Sequence, residues 1–274
     1  MSNHSTTVSV THDHLTFVYD DRTRKLSEIQ EFLESWAVEK LKVSIHERTY
    51  VVLGGDGLFV HMAKIAHQEQ VDILGINFGT KGFLLHDRDV FEQDAFEFEP
   101  QEYPILHVDV QIDDDHIHGH AFNEVYLTRA GDASSVSLEL SHRNKKIANY
   151  RGDGIMVSTP AGSTGWSRSY GGVILPHDAN LNVLTPVGGF SPHDFHSVPL
   201  PDKGRIRVAN DTSREAPMDI LVDNHRIVSM ESRSMQILIE RASHGVNILI
   251  EKSYRERWDN KPYLEQWFQN HKNP

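Results

Sequence analysis

The stretch Tyr50-Val51-Val52-Leu53-Gly54-Gly55-Asp56-Gly57-Leu58-Phe59-Val60-His61-Met62-Ala63-Lys64-Ile65-Ala66 reads as a strand, a tight turn and an amphipathic helix. Phosphate groups commonly sit at such a turn, because free N–H groups and the helix dipole favour negative charge there. A carboxylate among the glycines would repel a bare phosphate. Asp56 therefore suits one of two tasks: capping the helix, or orienting a hydroxyl and taking its proton while the glycines let a substrate approach. Neither GxxxxGK[ST] nor GxGxxG occurs in the chain, which removes two common nucleotide-binding explanations.

Working outward, Leu15 to Tyr19 reads as a strand, and Leu26, Ile29, Phe32, Leu33 and Trp36 fall on one helical face. The strand ending at Gly54 and its helix come next, and Val71 to Ile76 closes a βαβαβ unit with a parallel sheet. Glycines recur at Gly75-Ile76-Asn77-Phe78-Gly79-Thr80-Lys81-Gly82-Phe83-Leu84, at the C-terminal end of that strand. Open α/β sheets bind ligands at that edge. Phe98 to Pro104 breaks the pattern and marks a boundary. Strand signals dominate after it: a hairpin of Ile105–Ile112 and His116–Thr128 around Asp113-Asp114-Asp115, then Val136–Leu140, Lys146–Tyr150, Ile155–Ser158, Arg205–Val208, Asp219–Val222 and Met235–Ile239. Pro262 to Phe268 reads as a short terminal helix. The expected fold is an α/β N-terminal domain with a parallel sheet, residues 1–98, followed by a β-rich domain from 99 to 253.

Two further motifs lie in the β-rich part. Asn123-Glu124 could hold neighbouring ribose hydroxyls, one side chain donating and both accepting. Asp153-Gly154-Ile155-Met156-Val157-Ser158-Thr159-Pro160-Ala161-Gly162-Ser163-Thr164-Gly165-Trp166, closed by Ser169-Tyr170-Gly171-Gly172, runs from a strand into a loop dense in Ser, Thr and Gly. Backbone N–H groups beside hydroxyls suit a ribose or a phosphate, although such loops also occur as ordinary turns.

The 274 residues, 38% hydrophobic and 24% charged, are those of an ordinary globular chain. No apolar run approaches the ~20 residues that span a bilayer. Met1 to Thr7 lacks the basic and apolar regions of a signal peptide. There is no cysteine, so disulfides, thiol nucleophiles and cysteine metal sites are excluded. A cytoplasmic protein is the simplest fit. The formal charge of −12 argues against a nucleic-acid partner, whose phosphates need a basic face. Eighteen histidines would add positive charge as pH falls through about 6.5.

His116, His118 and His120 alternate along one strand beside three aspartates, which invites a metal site. Further ligands are not identifiable in the sequence, so the pattern is read as a solvent-facing hairpin, with no metal ligands assigned to the protein. Asp223 reads as a β-turn residue. Trp258, Trp267 and Phe268 read as packing residues.

Taken together, the four clusters resemble the NAD kinase family in order and approximate spacing: GGDG at 54–57, Gly-Ile-Asn…Gly-Phe-Leu at 75–84, Asn123-Glu124, and Asp153 to Gly172. GGDG alone is shared with lipid kinases; the long last motif is more selective. The sequence departs from the pattern at Leu58, where the family has Thr, at Ala161, where it has Thr, and at Gly165-Trp166, where it has Ala-Tyr. The resemblance implies phosphotransferase activity: the ATP γ-phosphoryl passes to the 2′-hydroxyl of the adenosine ribose of NAD, giving NADP, with polyphosphate as a second candidate donor. It implies Asp56 as general base, with Gly55 and Gly57 allowing close approach and Asn77 and Phe83 in the substrate site. Asn123 and Glu124 would contact the ribose and nicotinamide side. Asp153 would anchor the nicotinamide end, across a subunit boundary in a homodimer or homotetramer. Ser158, Thr164, Gly165, Trp166 and Ser169 would line the adenine side. Mg²⁺ or another divalent cation would travel with ATP, and Lys81, Arg151 and Arg168 would help draw in the anionic substrates. The C-terminal segment 254–274 would pack back on the first domain. Two alternatives stay open: a non-catalytic NAD(P)-binding sensor, kept alive by Leu58 and Gly165-Trp166, and a GGDG-type kinase acting on another hydroxyl, such as a lipid's.

Overall fold

The computed structural model describes residues 7–80, 82–131, 135–210, 216–231 and 234–261. The chain forms two units, residues 1–103 with 245–274 and residues 104–244. The first unit begins with β1 (Thr7–His12), β2 (Leu15–Asp20), α1 (Leu26–Leu33), α2 (Trp36–Ser44), β3 (Thr49–Gly54), α3 (Asp56–Glu69), β4 (Asp72–Asn77) and β5 (Phe98–Tyr103). The second holds β6 (Leu106–Ile112), β7 (Asp115–Ala121), β8 (Glu124–Arg129), β9 (Val136–His142), β10 (Lys145–Gly152), β11 (Gly154–Ser158), α4 (Trp166–Ser169), β12 (Leu181–Val187), β13 (Val198–Pro201), β14 (Ile206–Asn210), β15 (Met218–Val222), β16 (His225–Met230) and β17 (Met235–Arg241). The chain then returns to the first unit with β18 (Val246–Glu251).

In the first unit the sheet order is β1-β2-β3-β4-β18-β5. The four central strands run parallel, and β1 and β5 pair antiparallel at the edges. Tyr50 to Leu53 are all buried, as expected of a parallel strand covered on both faces. Helix α3 packs on this sheet through Phe59, and a Cβ on Gly75 of β4 would come within 2.8 Å of the Phe59 ring. Glycine at 75 is thus a packing requirement.

In the second unit two six-stranded antiparallel sheets, β10-β9-β14-β17-β6-β7 and β13-β12-β11-β8-β15-β16, share one apolar core. Alternate residues of facing strands fill it, among them Val108, Val110, Leu127, Ile155, Val157 and Ile237. No helix among the described residues is long and apolar enough to cross a membrane.

Several elements differ from the sequence expectations. The helical face from Leu26 to Trp36 is broken: Ser35 takes extended backbone (ψ 159°) and its hydroxyl donates to the Phe32 carbonyl, starting α2. Trp36 consequently lies outside the buried face, with the Lys40 ammonium 3.3 Å from its ring centroid. Phe98–Tyr103 forms strand β5, because Pro100 is tolerated on an edge strand, and the boundary falls at the end of that stretch, between Tyr103 and Pro104. The first unit therefore extends to Tyr103. It resumes at Gly245, earlier than 254, because β18 inserts between β4 and β5. His116–Thr128 is two strands, broken at Phe122-Asn123, with β7 and β8 in different sheets. The expected helix Pro262–Phe268, with Trp267, lies outside the described residues; Trp258 is fully buried and donates to the Tyr103 hydroxyl at 2.8 Å.

Candidate active site

Each unit carries one cluster of the expected residues. In the first, β3 and β4 end side by side, with Gly54 opposite Asn77. Gly55 caps α3 in an extended conformation and Asp56 occupies its first turn, so Asp56 is not the N-cap. Its carboxylate instead reaches across to the loop after β4: Oδ2 accepts the Phe83 N–H at 3.1 Å and Oδ1 accepts the Leu84 N–H at 3.0 Å. Asn77 shapes the same loop, its Oδ1 accepting the Gly79 N–H at 2.9 Å, while a Cβ on Gly82 would meet Asn77 Cγ at 2.7 Å. By contrast, a Cβ on Gly57 would meet nothing within 4 Å, and one on Gly55 only the Gly79 Cα at 3.9 Å. Packing among the described residues does not require glycine at either position, and open space beside Asp56 is what a close-approaching substrate needs. Lys81 lies outside the described residues.

Two supports of this loop were not visible in the sequence. Lys261, with a side chain only 12% exposed, donates its ammonium to the Gly82 and Leu85 carbonyls. Burial pulls its pKa down to about 8, with Asp87 and Asp56 opposing that shift. His86 is fully buried, its Nδ1 3.0 Å from the Gly75 carbonyl and its Nε2 accepting the Glu251 N–H at 3.1 Å. Those partners fix a neutral ring protonated on Nδ1, and burial holds its pKa down at about 3. No local pattern marks either residue, because their partners are distant in the chain or are backbone groups.

In the second unit β8 and β11 are neighbours, with Glu124 opposite Ser158. Phe122, Asn123 and Glu124 point their N–H groups at one carboxylate, that of Asp223, at 2.8, 2.7 and 3.1 Å. Asp223 and Asn224 both have positive φ, as in the tight hairpin turn that joins β15 to β16. The turn reading of Asp223 is thus right about the backbone and misses what the carboxylate does. From the other side, the Thr159 N–H donates to the Asn123 carbonyl at 2.9 Å and its hydroxyl to the Phe122 carbonyl at 2.7 Å. Gly162 lies so close that a Cβ there would sit 2.1 Å from the Asn123 carbonyl oxygen.

This framework buries Glu124 and Ser158. Asn123 Oδ1 and Ser158 Oγ are buried with no hydrogen-bond partner among the described residues, an arrangement expected of ligand contacts. Trp166 and Tyr170 are 45% and 43% exposed, and Trp166 stands edge-on to Tyr126 with ring centroids 6.1 Å apart. Gly165 and Ser169 are exposed beside them. The Thr164 hydroxyl donates to the Ala161 carbonyl at 3.0 Å, so it serves the loop itself. Asp153 stands at the other end of β11 from Ser158, roughly 16 Å away by strand rise. There Arg129 Nε donates to its Oδ1 at 2.7 Å. The chain does not bring Asp153 to the Asn123 cluster. Arg151 and Arg168, expected to draw in anions, are half-buried, Arg151 with its guanidinium 4.9 Å from the Phe190 ring centroid.

Residues 13–95 match the model of the ATP-NAD kinase N-terminal domain, and residues 122–249 match that of the ATP-NAD kinase C-terminal domain. An NAD kinase of Flavobacterium psychrophilum is 30% identical over 212 residues, covering 73% of this chain and 69% of that one. The chain belongs to the NAD kinase family. An NAD kinase of Sulfurimonas denitrificans is 29% identical over 211 residues, covering 74% and 72%. In fold the chain resembles a yeast NADH kinase complexed with NADH (TM-score 0.70, 19% identity, 86% of this chain and 70% of that one). It also resembles an NAD kinase from Archaeoglobus fulgidus in complex with ATP (TM-score 0.64, 19% identity, 90% and 96%).

Within this NAD kinase fold the sequence departures have local accounts. Leu58 turns back on Gly54, its Cδ2 3.1 Å from where a Cβ would stand there. Ala161 is buried, so a threonine at that position would need a partner for its hydroxyl. A methyl on Gly165 would lie 3.3 Å from the Gly162 carbonyl oxygen, a tight fit needing a small adjustment.

Proposed function

We propose that the chain transfers the γ-phosphoryl group of ATP to the 2′-hydroxyl of the adenosine ribose of NAD, giving NADP. Membership of the NAD kinase family carries this conclusion. The residue roles rest on geometry. Asp56, its carboxylate fixed by the Phe83 and Leu84 N–H groups and standing in a glycine turn with open space at Gly57, is the group that accepts the proton of the attacking hydroxyl. Phosphoryl transfer asks mainly for positioning and charge neutralisation, so the base need not be strong. Asn123 and Ser158, whose buried oxygens have no partner among the described residues, take the polar groups of the NAD ribose and adenine, with Glu124 beside them. Trp166 supplies an exposed ring face for a base.

Mg²⁺ belongs to this reading as an ion carried by the ATP phosphates. Asp56 Oδ1 and Oδ2 already accept backbone N–H groups, and the group of potential metal ligands found among the described residues lies on β6 and β7. The donors around Asp56 therefore suit an ion bound mainly by phosphate and water, whose chemistry is to neutralise charge on the transferring group. Asp153 is assigned to the nicotinamide end of an NAD held by a neighbouring subunit of a homodimer or homotetramer. Its exposure and its position at the far end of β11 support that assignment. The enzyme is taken to work in the cytoplasm, and polyphosphate remains a donor to be tried beside ATP.

The test is incubation with NAD⁺, ATP and Mg²⁺, with NADP⁺ read by an NADP-specific dehydrogenase, beside Asp56→Asn. Because Asp56 also holds Phe83 and Leu84, NAD affinity must be measured in parallel. Expected are NADP⁺ from the wild type and a loss of roughly 10²-fold or more in kcat for the variant with affinity kept. Tight NAD binding without NADP⁺ from either donor would replace the kinase with a sensor.

A further inference from the structure

We propose that the β6–β7 hairpin carries a binding site for a first-row divalent metal ion such as Zn²⁺, with Asp109, His116 and His118 as its ligands. The two strands pair antiparallel with Asp109 opposite His118, Gln111 opposite His116 and His107 opposite His120, so these side chains share one face. Ile117 and Val108 turn to the other face and the core. His116 Nδ1 lies 3.1 Å and His118 Nδ1 3.5 Å from the same Asp109 oxygen, and all three ligand atoms fall within 4.8 Å of one another.

The two separations to Asp109 are close to those a tetrahedral ion requires, and small side-chain rotations would bring the two histidines to the same spacing. Ligands at about 2.0–2.1 Å from a central zinc stand about 3.3 Å apart along a tetrahedral edge. Two imidazoles and one carboxylate are a donor set for Zn²⁺ or Co²⁺, while Mg²⁺ and Ca²⁺ seek six or more oxygens. The rings are also partly oriented in advance: His107 stacks on His118 at 5.6 Å with planes 15° apart, and His116 and His118 stack at 6.2 Å with 22° between planes. The face is open to solvent, His116 and His118 being 47% and 58% exposed, so the remaining coordination position falls to water. Asp109 is the ligand that the His-x-His-x-His pattern alone could not supply, because it lies on the preceding strand. Strand β7 is an edge strand, and an ion joining it to β6 would tie that edge down.

The probe is Zn²⁺ alone, titrated calorimetrically into chelator-treated full-length protein, with Co²⁺ as a spectroscopic reporter. The comparison is with Asp109→Asn and with His116→Gln/His118→Gln, surface changes whose folding is checked by circular dichroism. The chain holds eighteen histidines, so the difference between proteins is the reading. Expected are one Zn²⁺ per chain lost from the double variant, affinity weakened more than roughly tenfold in Asp109→Asn, and strong d–d bands of tetrahedral Co²⁺ in the wild type only. The melting temperature should rise with Zn²⁺ in the wild type and not in the double variant, and NADP⁺ formation without Zn²⁺ should match in both. Equal Zn²⁺ binding by wild type and double variant, or no saturable binding by the wild type, would overturn the site.

Discussion

Asp223 holds Asn123: its Oδ1 accepts the Asn123 N–H at 2.7 Å, and the same carboxylate takes the N–H groups of Phe122 and Glu124. Three donors that a strand ladder would otherwise engage converge on one buried side chain, and this is where β7 ends and β8 begins in another sheet. Asp223→Ala should leave these N–H groups without acceptors, at about 1–3 kcal/mol each where water cannot replace the carboxylate. The expected result is a lower urea midpoint, and in whatever remains folded a raised KM for NAD, since Asn123 and Glu124 lose their fixed backbone. Asp223→Asn keeps one acceptor and should fall between. Unchanged KM in folded Asp223→Ala would show that the Asn-Glu segment is held without it.

The two glycines of the long loop should respond oppositely to a methyl group. At Gly162 a Cβ would strike the Asn123 carbonyl oxygen at 2.1 Å and its carbon at 2.6 Å, both backbone atoms that cannot swing aside. Gly162→Ala should lose at least about 2 kcal/mol of stability and most activity, since moving Asn123 disturbs the site. At Gly165 the nearest atom is 3.3 Å away and φ is negative, so Gly165→Ala should stay within about 1 kcal/mol of the wild type. Thermal melts and NADP⁺ assays of the pair decide this, and similar losses in both would refute the packing account.

Trp166 is 45% exposed and stands edge-on to Tyr126, and the proposed function has it meet a base. Adding NAD should change tryptophan emission in the wild type, and Trp166→Phe should abolish that change while keeping most activity. Trp166→Ala should weaken NAD binding by about 1–3 kcal/mol, the usual scale of base–aromatic stacking. Emission that responds equally to NAD in Trp166→Phe would place the base elsewhere.

What was legible in the sequence was local. Tyr50 to Ala66 announces strand, turn and helix because apolar period, glycines and helix all lie within seventeen consecutive positions. The strand and loop from Gly154 to Trp166 announce themselves likewise. Residues whose task is set by a partner far along the chain were not legible. Asp223 serves positions a hundred residues earlier, Lys261 serves a loop near residue 82, and β18 joins the first sheet after the whole second unit has intervened. A turn aspartate and a C-terminal lysine look the same in sequence whether or not they do this. Phe98–Tyr103 was missed for a different reason: Pro100 reads as a breaker until the strand is seen to lie on an edge.

His86 joins β4 to β18 as a neutral ring, its Nδ1–H donated to Gly75 and its Nε2 accepting from Glu251. Burial depresses its pKa from the ordinary 6.5 to about 3. Between those values the unfolded chain binds a proton that the folded chain refuses, so stability from this residue is complete above about pH 6.5 and is lost as pH falls toward 3. The slope approaches about 1.4 kcal/mol per pH unit, and the loss reaches the order of 5 kcal/mol at the acid end. His86→Phe removes the titration but strands the Gly75 carbonyl and the Glu251 N–H, so it should be less stable than the wild type at pH 7. Its stability should nonetheless fall less steeply between pH 6 and 4, by close to one proton. Urea unfolding at a series of pH values measures both slopes, and ring resonances of His86 should stay in the neutral form, protonated on Nδ1, down to pH 5. Parallel slopes in the two proteins, or a His86 ring that titrates near pH 6.5, would show that the ring is not held neutral by the fold.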